Sequence, residues 1–465
     1  MADTAQRLVV VSNRVAVPKA RGAAGAQGGL AGALKAALQE RGGLWFGWSG
    51  EEVEGPGDTI HTQTEDDITF ATLDLSAREI EEYYNGYANS TLWPLFHYRI
   101  DLARFEEKTG KGYEAVNDRF ADRLSALIEP GDFVWVHDYH LIPLGQRLRE
   151  RGIDNKIGFF LHTPWPPTRL LTSLPYHERL VRSLLSYDLV GFQTEEWLGS
   201  FKHYCETELK ADIDDKHARI TLDGRTTIAR SFPIGIDWEQ FRSSGMQGEA
   251  RQAEQRLRSS TRHRIGMIGV DRLDYSKGLP ERIDGIGRFF DKHPERVREL
   301  VYIQIAPPSR EDVESYQQIR ETLERKTGQI NGARSEVDLV PIRYVNRGYS
   351  HSELYGFFRA AKIGLVTPLR DGMNLVAKEY VAAQDPDDPG VLILSEFAGA
   401  AAQLASGAVL VNPHSPDALA SAIVAALDMS LAERRTRFEA MIDTVREDDV
   451  HAWTASFCQA LAEIC

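Results

Sequence analysis

Asp371-Gly372-Met373-Asn374-Leu375 is the stretch of this sequence with the most chemistry to offer. It follows the apolar run Gly364 to Val366 and precedes a helical pattern from Val376 to Gln384. Its backbone N–H groups therefore lie at an electropositive helix start, suited to phosphate or sugar oxygens. Asp371 at the loop entrance can bind sugar hydroxyls, and Glu379, one turn into the helix, offers two oxygens that match the cis-diol of a ribose. A glycosidase-type carboxylate pair is a rival use for these two residues, and helix capping a plainer one. A second candidate is Asp271-Arg272-Leu273-Asp274-Tyr275-Ser276-Lys277-Gly278. Arg272 and Lys277 bracket a tight turn behind an apolar strand, where a guanidinium fork and an ammonium point charge suit a pyrophosphate. The alternative there is a solvated charged turn.

Other candidates also close apolar runs. His137-Asp138-Tyr139-His140 ends one run and His162 the next. Two histidines three apart raise metal ligation, but no third ligand of usual spacing accompanies them. A polar cluster in which Asp138 accepts hydrogen bonds from sugar hydroxyls is the better reading. Asn13-Arg14 closes the first run, and Gly28-Gly29-Leu30-Ala31-Gly32 opens the following helical segment, where glycines let a backbone approach a phosphate. A flexible turn explains those glycines equally well. Arg310, in Pro308-Ser309-Arg310, fits a phosphate clamp at a strand-to-helix junction or a surface position at a helix start.

The elements that must hold these residues are legible as well. Leu8 to Val11, Phe133 to Val136, Ile157 to Leu161 and Leu189 to Phe192 form one series of short apolar runs. Ile265 to Val270, Leu300 to Ile305, Ile363 to Val366 and Val391 to Leu394 form another. Near-continuous apolarity, with helical patterns such as Pro280 to Lys292 and Arg310 to Lys326 between runs, predicts βα repeats and parallel sheets buried on both faces. The chain of 465 residues exceeds what one core usually covers. The reading is α/β, with two Rossmann-like domains facing across a cleft and ligands at the carboxyl ends of the strands. The expected boundaries are 1–240, 241–447 and a C-terminal helix, 448–465, packing back on the first domain. Net charge −14 argues against nucleic acid as a partner. No apolar run is long enough for a membrane span, and no secretory leader is visible. Three cysteines without metal-like spacing suit a reducing cytoplasm.

Five longer motifs give the chain a resemblance: Val10 to Arg14, Leu44 to Gly50, Leu92 to Arg99, Asp271 to Gly278 and Val366 to Tyr380. With them it resembles the trehalose-6-phosphate synthases, retaining glycosyltransferases of family 20 with the two-domain GT-B architecture, from about Arg7 to the C-terminus. The resemblance implies transfer of glucose from a nucleotide-glucose, with UDP-glucose the preferred donor, to glucose 6-phosphate. It assigns Arg14, Tyr84, Trp93, Asp138 and Arg310 to the acceptor. To the donor it assigns Gly29, His162, Arg272, Lys277, Asp371, Gly372, Met373, Asn374, Leu375 and Glu379. Asp138, His162, Arg272 and Lys277 stand at the reacting centre. It further implies no cofactor, no metal and a homo-oligomer, dimer or tetramer. A relative acting on another phosphorylated acceptor and a non-catalytic sugar-phosphate sensor are the alternatives; intact charged residues disfavour the sensor.

Overall fold

The computed structural model describes residues 6–17, 29–55, 57–261, 263–308 and 314–464. The chain divides into two units. The first runs to Ile234 and includes the segment from Val450 onward; the second runs from Gly235 to Asp449.

In the first unit the strands are β1 (Leu8–Arg14), β2 (Gly43–Val53), β3 (His61–Glu65), β4 (Ile68–Ser76), β5 (Phe133–His137), β6 (Lys156–Phe160), β7 (Leu189–Phe192), β8 (Asp212–Asp214), β9 (Arg219–Leu222) and β10 (Arg225–Ser231). They form one ten-stranded sheet in the order β3-β4-β2-β1-β5-β6-β7-β10-β9-β8. The strands from β4 to β10 run parallel, and antiparallel hairpin strands finish both edges. β5 is buried at every residue, as its unbroken Phe-Val-Trp-Val run requires. From β1 the chain builds toward β4 on one side and, from β5, toward β10 on the other. The strand order therefore reverses between β1 and β5, the switch point where sheets of this kind bind ligands.

The segment from Val450 completes this core. Helix Val450–Ala462 stacks Phe457 on Trp135 with ring centroids 4.5 Å apart. Gly158 on β6 and Gly191 on β7 leave the space this needs: a methyl group on either would come within 3 Å of the Phe457 ring. Burying such a ring contributes about 1.5–3 kcal/mol.

The second unit holds β11 (Ile265–Val270), β12 (Leu300–Ile305), β13 (Ile342–Val345), β14 (Ile363–Val366), β15 (Val391–Ser395) and β16 (Val409–Val411). The order is β13-β12-β11-β14-β15-β16, all parallel, with the reversal between β11 and β14. The polar stretch from Ser243 to His263 is mostly helical, in helices Trp238–Gly245 and Gly248–Thr261. No helix among the described residues is long and apolar enough to cross a membrane.

Candidate functional site

Each unit carries expected residues at its own switch point. In the first, Arg14 ends β1 with an exposed side chain and Asp138 directly follows β5. The Arg14 guanidinium lies 5.6 Å from the centre of the Trp48 ring, a cation–π distance. Trp48 meets Tyr84 edge-on at 5.5 Å, and Tyr84 stacks on His140 at 5.9 Å. Trp93 packs against Tyr139 at 5.5 Å. An aromatic chain thus joins Arg14 to Tyr84. Tyr84 lies on a π-helical segment, Ile80–Leu92, whose closing bond runs from the Trp93 N–H to Ala88 O. Such wide turns are rare and gather at functional sites. The Tyr83 hydroxyl donates to Asn13 Oδ1 at 2.7 Å, which ties this segment to the end of β1.

Asp138 has φ 75 and ψ 166, a conformation almost confined to glycine that persists only where the surroundings impose it. Here its N–H donates to Phe160 O at 2.8 Å, and its Oδ1 accepts the His162 N–H at 3.3 Å. The strand ends of β5 and β6 are thereby joined at Asp138. His162 Nε2 faces His137 Nδ1 at 3.1 Å, and His162 Nδ1 faces Gln193 Nε2 at 3.4 Å. Both ring nitrogens of His162 therefore face protein partners. Burial lowers the His162 imidazole to about 3, and burial with the neighbouring ring holds His137 well below its ordinary value. These shifts favour the neutral form of both rings. No group of three or more His, Cys, Asp or Glu among the described residues could hold a metal ion.

In the second unit, the loop after β11 carries Arg272, exposed, and Lys277, whose Nζ pairs with Asp371 Oδ2 at 2.5 Å. Asn374 Nδ2 donates to the same oxygen at 3.0 Å. Backbone bonds join this loop to the one after β14: Leu369 N–H donates to Ser276 O at 2.8 Å. Gly372 and Met373 are buried in the second loop; Asn374, in left-handed conformation, precedes helix Leu375–Ala383. Asp371 N–H donates to Phe397 O and Ala400 N–H to Met373 O, which holds the loop from the far side. Glu379 stands one turn into the helix, and burial alone raises its carboxyl to about 7.

Of the remaining expected residues, Gly29 begins helix Gly29–Arg41, while Gly28 and Arg310 lie outside the described residues. In the first unit, contacts join Arg14 to Tyr84 through Trp48 and Asp138 to His162; in the second, Lys277, Asp371 and Asn374 meet, with Gly372 and Met373 on the same loop and Leu375 opening the helix behind it.

The profile of Glycosyltransferase family 20 matches residues 6–463. The chain belongs to that family. The trehalose-6-phosphate synthase of Sinorhizobium fredii is 47% identical over 98% of each chain. A crystal structure of a UDP-forming α,α-trehalose-phosphate synthase from Burkholderia vietnamiensis has a TM-score of 0.94 at 45% identity, covering 99% of this chain and 97% of that one. One from Burkholderia xenovorans, solved in complex with glucose-6-phosphate, has a TM-score of 0.93 at 44% identity, covering 98% and 100%. The two Rossmann-like units are the GT-B class of fold that these relatives share.

Two residues of this family 20 glycosyltransferase escaped the sequence reading. Arg282, in helix Leu279–Lys292, is fully buried. It donates to Asp271 Oδ2 at 2.5 Å, Gln304 Oε1 at 3.0 Å, Thr367 Oγ1 at 2.8 Å and Lys277 O at 3.4 Å. It thus fastens the ends of β11, β12 and β14 around the loop carrying Arg272 and Lys277. Gln193 directly follows β7 and touches His162. The available signal was positional: Gln193 closes an apolar strand as Asp138 and His162 nearly do.

Proposed function

We propose that this glycosyltransferase is a trehalose-6-phosphate synthase. It transfers glucose from UDP-glucose, with retention, to glucose 6-phosphate, giving α,α-trehalose 6-phosphate and UDP. The observation that carries the reading is the division of cations and carboxylates between the two switch points, on a chain akin over nearly its whole length to synthases described as UDP-forming. Arg14, Tyr84 and Trp93, with Arg310, receive glucose 6-phosphate. Arg272 and Lys277 neutralise the pyrophosphate, and the ammonium of Lys277 has donors for both Asp371 and a phosphate oxygen. Asp371 takes hydroxyls of the donor glucose, the amides of Gly372 to Leu375 its polar oxygens, and Glu379 the ribose diol. Asp138 orients sugar hydroxyls at the reacting centre. Retention follows if the departing phosphate takes the acceptor proton on the same face, so catalysis rests on alignment and on stabilising the leaving diphosphate. We infer that it acts in the cytoplasm, which three cysteines without metal-like spacing suit, and as a homo-oligomer, as the family resemblance implies.

The test is nucleoside diphosphate release from UDP-, GDP- and ADP-glucose with glucose 6-phosphate or glycerol 3-phosphate, the sugar product being read by NMR. A non-reducing disaccharide phosphate formed with UDP-glucose and glucose 6-phosphate supports the reading. Turnover with glycerol 3-phosphate alone, or none at all, overturns it.

Two further results are expected. Gly50 has φ +91, and a methyl group there would lie 2.3–2.5 Å from the Arg14 guanidinium. Gly50→Ala should therefore displace Arg14 and raise the KM for glucose 6-phosphate about tenfold, the loss of part of one charge-assisted contact, with the donor KM unchanged. Initial rates at varied substrate check this.

For Glu379 the raised carboxyl sets the sign. Its neutral form favours the folded state at acidic pH, and that contribution is lost as pH rises through about 7. A ribose diol needs the ionised form as acceptor, so donor affinity should weaken as pH falls below about 7, approaching tenfold per unit. Titration calorimetry with UDP should show this slope in the native protein and its loss in Glu379→Gln.

A further inference from the structure

Three consecutive strand ends of the first unit meet in one chain of hydrogen bonds whose direction is fixed at a backbone amide. Gln193 Oε1 accepts the N–H of Ile234 at 3.0 Å. A backbone N–H only donates, so the amide oxygen must face Ile234 and the NH₂ must face His162. His162 Nδ1, 3.4 Å from that NH₂, is then the acceptor and carries no proton. The proton of a neutral His162 sits on Nε2 and points to His137 Nδ1 at 3.1 Å, which is an acceptor in turn. His137 keeps its proton on Nε2, which is buried with no hydrogen-bonding partner among the described residues. The reverse arrangement would set the His162 Nδ1–H against the NH₂ of Gln193, donor against donor. Protonating His162 would do the same.

We propose that Gln193 is a positioning residue that locks His162 as the neutral Nε2–H tautomer, with its ring held across the ends of β6 and β7. The inference rests on the glucosyl-transfer reading above. Transfer of a glycosyl group gathers positive charge at the anomeric carbon. An imidazolium beside the reacting centre would oppose that charge, and a neutral ring does not. His137 and the Asp138 carboxylate face His162 from β5 and its following residue, while the C-terminal helix presents the Trp453 ring at 5.9 Å. The Asp138 carboxylate would otherwise favour a charged imidazole. Gln193 removes the second acceptor that a charged ring would need.

Two measurements on the full chain test this. Long-range ¹H–¹⁵N spectra of histidine-labelled native protein, with His162→Asn to assign the signal, should show His162 neutral with the proton on Nε2. A proton on Nδ1, or an imidazolium, overturns the proposal. Gln193→Glu places an acceptor against Nδ1, so His162 should take up a second proton. Its kcat should fall about tenfold or more, a barrier rise of about 1.4 kcal/mol. The KM of both substrates should stay within about twofold, the pattern of an interaction that matters in the transition state. Gln193→Met, which offers neither donor nor acceptor, should leave His162 neutral and keep a kcat well above that of Gln193→Glu. A His162 imidazolium in Gln193→Glu with unchanged kcat overturns the functional half. If Gln193→Glu does not fold, the native spectra and Gln193→Met still decide. Should the native protein form no disaccharide phosphate, the glucosyl-transfer reading fails, whereas the spectra report on the tautomer regardless.

Discussion

Arg272→Ala is expected to lower turnover by about 30- to 1000-fold while leaving the fold intact. The side chain is exposed at the end of β11, so its removal opens no cavity in the core. In the proposed reaction the diphosphate gains charge as it departs, and a guanidinium aimed at it is worth more in the transition state than in the bound donor. Removing one such donor costs about 2–4 kcal/mol, which is the stated range in rate. The split between kinetic constants matters as much as the size. If Arg272 only anchored the nucleotide, the donor KM would rise and kcat would stand; the expected result is the opposite weighting. Steady-state assays of UDP release with thermal unfolding of the variant check both parts. Unchanged kcat would remove Arg272 from the reacting centre.

Arg272 was visible in the sequence for a general reason. The central strands of both units are short and largely apolar, so a charged residue soon after one marks a strand end. The switch-point rule then says which strand ends matter. That argument reached Arg14, Asp138, Arg272 and Asp371 without a structure, whereas Tyr84 and Trp93 required the family resemblance. The π-helical segment bearing Tyr84 has no periodicity that separates it from an ordinary helix over so short a length. The edge strands β3, β8 and β9 are polar and exposed in large part, and they carry no apolar run to find. That a C-terminal helix returns to the first domain was an expectation of the sequence, but the contacts by which it does so, Phe457 over Gly158 and Gly191 some three hundred residues away, are displayed only by folding.

Arg282 was hidden for a different reason, and it gives the second large expectation. An arginine within an amphipathic helix reads as solvated, yet this one is fully buried and its charge is held by Asp271. Burial works against that charge, but the Asp271 carboxylate at 2.5 Å more than offsets it and keeps the guanidinium protonated. Arg282→Ala would leave Asp271 buried without its guanidinium and Thr367 without its donor, while Gln304 Oε1 would keep only the Tyr302 hydroxyl. Breaking a buried pair from one side costs about 3–5 kcal/mol. For a unit of this size that lowers the unfolding midpoint by roughly 6–20 °C. Calorimetry should place the shift in the transition of the second unit, and hydrogen exchange should show lost protection along β11 and β14 with little change along β1 and β5. Replacing both partners, Arg282→Met with Asp271→Leu, should recover much of the stability, since a buried ion pair often gives way to apolar packing at small net cost. It should not recover turnover. Arg282 also donates to the Lys277 carbonyl, and without that bond the loop bearing Arg272 and Lys277 loses the anchor that aims both cations. Stability restored with activity still low would show that the charge was kept inside the unit to hold this loop in place. Recovery of both together would reduce Arg282 to a packing residue.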